Sequence, residues 1–86
     1  MYTIVYHVKE TKETKGVQKV VEREYRGEKL RLRRTALHYM YDILQSEYRA
    51  RGYATEVRVG SLYCYQSEKT AEGNREVTEI LIQVVK

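Results

Sequence analysis

At 86 residues the chain is long enough for one domain, and with no Phe, Trp or Pro its aromatic content is nine tyrosines. The core must therefore be small, and each buried ring must bring its hydroxyl to a partner or to the surface. A single cysteine excludes an internal disulfide and leaves too few ligands for a zinc knuckle, and 16 Lys and Arg against 12 Asp and Glu (net +4) permit a polyanionic partner without requiring one.

Tyr2–Lys9 alternates, with Tyr2, Ile4, Tyr6 and Val8 inward and Thr3, Val5, His7 and Lys9 on the other face, which predicts a strand. Glu10–Gly16 (ETKETKG) reads as a polar connector, and Val17–Tyr25 as a second, less regular strand, giving a hairpin with a long charged tip. Arg26-Gly27-Glu28 is a turn candidate. Lys29–Arg34 has period two, Leu30 and Leu32 alternating with Arg31 and Arg33, and reads as a short strand; an early helix start near Glu28 is the alternative.

Thr35–Arg51 is the one segment with helical periodicity. Leu37, Met40, Leu44 and Glu47/Tyr48 form its stripe, Ala36, Tyr41 and Ile43 flank it, and His38, Asp42, Gln45 and Arg49 lie opposite. Thr35 is the expected N-cap and Gly52 the expected left-handed residue past the C-terminus. Tyr53–Gln66 follows as a strand with a bulge at Gly60-Ser61, and Ser67–Asn74 as a polar turn. Arg75–Lys86 is a strand apolar on both faces, Ile80, Ile82 and Val84 against Val77, Leu81 and Val85, which predicts a central position. Tyr6, Lys12, Gly16, Val20 and Glu22 recur 57 residues later as Tyr63, Lys69, Gly73, Val77 and Glu79. This loose echo suggests hairpin–helix–hairpin order. The expected fold is α+β: an antiparallel sheet of four to five strands with one central helix packed on one face.

Catalytic chemistry is thinly represented. His38 and Asp42 share a helix face at i, i+4, as surface pairs commonly do; His7 stands alone; Cys64 lies among tyrosines rather than cations. No phosphate loop, nucleophile elbow, dinucleotide fingerprint or metal-ligand spacing occurs, so the expectation is a non-enzymatic protein with no cofactor and no metal. The free cysteine favours a reducing, cytoplasmic setting, and MYTIVYHVKE reads as neither leader nor membrane span.

Two features point to binding. Arg31, Arg33 and Arg34, with Lys29 before them, sit where a helix begins, and free amides with guanidinium groups there suit phosphates. The same charges also serve an edge strand by deterring sheet aggregation. Tyr63 and Tyr65, with Val77, Leu81 and Val85, are expected together on the sheet face away from the helix. The leading expectation is a small basic module that binds nucleic acid through the arginines. The alternative is a protein-binding inhibitor or adaptor that acts on a host protein through the open sheet face, possible also as a homodimer. Small Tyr-rich chains without catalytic residues are common among phage and mobile-element inhibitors, including anti-CRISPR proteins; that likeness is one of class only.

Overall fold

The computed structural model describes residues 1–70 and 72–86. Ala71, in the expected turn Ser67–Asn74, lies outside them. Five strands, β1 (Tyr2–Thr14), β2 (Val17–Leu30), β3 (Ala54–Arg58), β4 (Ser61–Lys69) and β5 (Arg75–Val85), form one antiparallel sheet in the order β2-β1-β5-β4-β3. One helix, α1, joins β2 to β3 and covers one face of the sheet. It runs through an α-helical turn (Arg33–His38), a π-helical segment (Tyr39–Leu44) and a second α-helical turn (Gln45–Ala50). The expected α+β architecture is the observed one.

The core lies between α1 and the even-numbered positions of three strands. Ile4 from β1, Ile80 and Ile82 from β5, and Leu62 and Cys64 from β4 pack against Ala36, Met40 and Leu44 of the helix. Its stripe therefore has a spacing of four, continued by half-buried Tyr48. A pure α-helix turns every 3.6 residues and would carry such a stripe steadily round the axis; the wider π turn carries it back, so the stripe stays over the sheet. Leu37, expected at the centre, flanks the stripe half-buried, and Glu47 is exposed.

Four local expectations are corrected. The helix starts at Arg33 with Leu32 as an N-cap that makes no side-chain bond, so Thr35 is inside the first turn and caps nothing. Lys29–Arg34 is neither a strand of its own nor helix throughout: β2 ends at Leu30, a bend follows, and the helix takes Arg33 and Arg34. Arg26-Gly27-Glu28 is not a turn. β2 runs through it with a bulge, since Thr3 faces Lys29 while Val5 faces Arg26. A Cβ on Gly27 would come within 2.7 Å of Tyr6 Cε1, so the glycine serves a close approach by the Tyr6 ring. Gly60-Ser61, conversely, is not a bulge: Val59–Gly60 turns the chain between β3 and β4. Tyr41 ties that turn to the helix, its hydroxyl donating to the Arg58 carbonyl (2.6 Å) and accepting from the Gly60 N–H (2.8 Å).

The helix ends as expected. Gly52 takes φ +90°, its N–H bonds the Arg49 carbonyl (3.0 Å), and the Tyr53 N–H bonds the Tyr48 carbonyl (3.0 Å). This is the double bond of a Schellman motif, and the usual contact across it is here an edge-to-face pair of Tyr48 and Tyr53 rings, 5.2 Å between centroids.

The expected polar connector Glu10–Gly16 is mostly strand. β1 continues to Thr14, held by β2 on one side and β5 on the other, and only Lys15 and Gly16 (φ 50° and 80°) make the hairpin loop. This distal half of the sheet extends beyond the helix and stretches the molecule to 47 × 22 × 18 Å. The radius of gyration, 14.6 Å, exceeds the roughly 12 Å of a compact chain this long.

Candidate functional site

Arg31, Arg33 and Arg34 lie at and just after the two-residue bend at which strand and helix meet. Arg31 lies in the bend and Arg33 and Arg34 open the helix; all three are exposed. Lys29 is exposed too, but its register opposite Thr3 places it on the sheet face away from the helix. Among the described residues none of the four makes an ion pair, and the first helical turn holds no acidic residue. Cations at this end of a helix oppose its dipole, and the amides have no side-chain cap, so the junction is a positive centre that no ion pair among the described residues neutralises. Arg26–Arg34 holds five basic residues and one acidic, a net +4 equal to that of the whole chain; the other 77 residues balance at 11 and 11. Arg31, Arg33 and Arg34 carry three of these charges, and Arg26 and Lys29 less Glu28 supply the fourth.

The second group of expected residues shares one face. Tyr63 lies opposite Leu81, Tyr65 opposite Glu79, Val77 opposite Ser67 and Val85 opposite Thr3, all facing away from the helix. They do not form a continuous apolar patch. Glu79 and Gln83 interrupt them on β5, and of the five only Val85 is exposed, at 37%. The face is instead a polar network over a partly apolar floor. The Tyr63 hydroxyl donates to Glu79 Oε2 (3.0 Å), His7 Nε2 lies 3.1 Å from Gln83 Oε1, and the Arg58 guanidinium stacks 4.5 Å over the Tyr63 ring while bonding Glu56 (2.8 Å). Burial, then the Glu79 carboxylate, raises the Tyr63 phenol above its usual pKa. A hollow of about 570 Å³ lies here, between Glu22 and Glu24 on one side and Arg58 and Tyr63 on the other, with Leu81 in its lining. The sequence reading missed Glu22, Glu24, Arg26 and Arg58 on this face; their positions follow from cross-strand register, which no single strand displays.

The other ionisable candidates stay apart. His38 and Asp42 form an exposed i, i+4 pair (2.6 Å) on the outer side of the helix, His7 is on the open sheet face, and Cys64 is in the core. Burial pushes the Cys64 thiol up to about 11, so at neutral pH it is neither thiolate nucleophile nor ready ligand. Among the described residues no three His, Cys, Asp or Glu side chains cluster as a metal site, and no helix is long and apolar enough to cross a membrane. No family model matches the chain, and no curated protein or solved structure matches it either.

Proposed function

We propose that the protein is a small binding module for a polyanion, nucleic acid foremost, which it holds on Arg31, Arg33 and Arg34 with Lys29 at the margin. One observation carries this reading: the entire net charge of the chain sits in Arg26–Arg34, and three of its five cations, Arg31, Arg33 and Arg34, stand exposed at the uncapped start of the helix with no ion pair among the described residues. Guanidinium groups at such a junction suit phosphate oxygens as bidentate donors, and a bound phosphate relieves their conflict with the helix dipole. The free Cys64 is compatible with action in the cytoplasm.

Salt dependence tests the proposal, because each neutralised phosphate releases condensed counterion. Replacing Arg31, Arg33 and Arg34 together by Gln is expected to lower the log–log salt slope of binding by roughly 2–3 units, at about 0.7–0.9 per phosphate. The side chains are exposed, so the fold should persist. An unchanged slope, or no binding of single- or double-stranded nucleic acid even at low salt, sinks the reading. The second reading, a protein-binding inhibitor or adaptor that uses the open sheet face, then takes its place; the hollow beside Tyr63 and the unpaired charges of β2 favour it.

A further inference from the structure

From the charge order on the open sheet face we infer that this face pairs with a second copy of the chain, as a two-fold dimer with both helices outside. The face consists of rows that run across the strands. From the β2 edge inward they begin with Lys29–Thr3–Val85, then Arg26–Val5–Gln83–Ser61–Arg58, then Glu24–His7–Leu81–Tyr63–Glu56, then Glu22–Lys9–Glu79–Tyr65. Read down β2, the exposed edge is two cations followed by two anions, and β3 repeats the order with Arg58 and Glu56. The bulge creates this order: it turns Glu28 to the helix side, where the Tyr6 hydroxyl meets it, and puts Lys29 on the open face.

A column of that kind is complementary to itself reversed. A two-fold axis along the rows, between the Val5 row and the His7 row, sets Glu24 opposite Arg26, Glu22 opposite Lys29 and Glu56 opposite Arg58 of the second copy. The same operation sets the large Tyr63 opposite the small Ser61, and Leu81 opposite Gln83. Lys9 then faces Thr3, and Glu79 keeps the Tyr63 hydroxyl. Moving the axis one row brings Glu22 against Glu24, so charge fixes the register as well as the face. In the single chain Glu22, Arg26 and Lys29 have no ion-pair partner among the described residues, and Glu24 has only His7, 4.0 Å away. An isologous contact of this type closes at two copies.

Five strands about 4.8 Å apart and the β5 stretch Glu79–Val85 at about 3.3 Å per residue give a footprint of roughly 400–500 Å² per copy. That is at the low end for specific interfaces, so the dimer should be in the micromolar range and salt-sensitive. Lys29 becomes part of the interface, while Arg31, Arg33 and Arg34 stay outside it.

Sedimentation equilibrium of the full chain, with no nucleic acid present, tests the dimer independently of the proposed function. Glu22→Lys/Glu24→Lys makes the β2 column all basic and Arg26→Glu/Lys29→Glu makes it all acidic; each should weaken self-association about tenfold or more. An equimolar mixture of the two should associate again. The chain with all four substitutions has the wild-type net charge and a reversed but self-complementary column, and should recover the dimer. Circular dichroism confirms that each variant is folded, and the recovering chain guards against variants that merely misfold. A monomeric wild type at about 500 μM in low salt, well above the range this interface supports, overturns the inference. So do a dimer that persists in both double variants and a folded mixture that fails to associate.

Discussion

Gly27 and Tyr6 show how one residue's role depends on a neighbour far away in sequence. The ring lies over the bulge, and its hydroxyl reaches Glu28 (3.4 Å). Gly27→Ala should therefore cost about 1–3 kcal/mol by overpacking. In a Tyr6→Ala background the same substitution should cost far less, since the obstructing ring is gone; equal costs in urea titrations of both backgrounds would contradict the contact. Cys64 makes a second prediction. Its folded pKa is raised by burial from 9.0 to about 11, so between those values the folded state holds a proton that the unfolded state has lost. Stability must then fall as pH rises through 9 and level off near 11, by on the order of 2 kcal/mol from this group. The loss between pH 8.5 and 10.5 should be smaller in Cys64→Ala, whatever its lower starting stability; an unchanged slope would place the alkaline sensitivity elsewhere. The sequence showed that a buried tyrosine must find a polar partner, as Tyr41, Tyr63 and Tyr6 do, but it did not show which partner.

At the scale of the helix, the sequence located the end better than the beginning. Gly52 after two arginines is a local signal, and the Schellman bonds realise it. The start had no such signal: Arg33 and Arg34 are poor residues for a first turn, and Thr35 looked like a cap, yet the geometry of the strand-to-helix bend places the cap three residues earlier, at Leu32. The apolar stripe was legible in Met40 and Leu44, whereas its true spacing of four was hidden, because an α-helical template assigns Leu37 what the π turn assigns Ala36. Leu44 sits 3% exposed among the strands' buried residues. Leu44→Ala should cost about 2–5 kcal/mol, since one helix and five strands share a small core and the cavity cannot be filled from elsewhere. A loss below about 1 kcal/mol in chemical denaturation would mean that the helix does not press this face on the sheet.

Across the whole molecule, the parts that sequence reasoning lost are those fixed by pairing between strands. The arginine segment is contiguous and was visible at once; the self-complementary columns of the open face need the register of β1 on β2 and the bulge, so neither was. The distal sheet is the clearest case. Glu10–Thr14 is polar on both faces and resembles a connector, because no helix covers it and nothing there must be apolar. Ladder hydrogen bonds to β2 and β5 make it a strand all the same. A strand held by its ladder alone, without a buried face, should open at lower free energy than one under the helix. Native-state hydrogen exchange should therefore divide β1 along its length. Amides of Ile4–Val8, and of Ile80 and Ile82 beside them, are expected to exchange only by near-global unfolding. Those of Thr11–Thr14 and Val17–Lys19 are expected to exchange by local opening, with protection lower by tenfold or more, a difference of about 1.4 kcal/mol. If the distal amides were protected as strongly as the core, the arm would need a cover that one chain does not supply. The dimer proposed above leaves the arm overhanging, so it predicts the same division at every protein concentration.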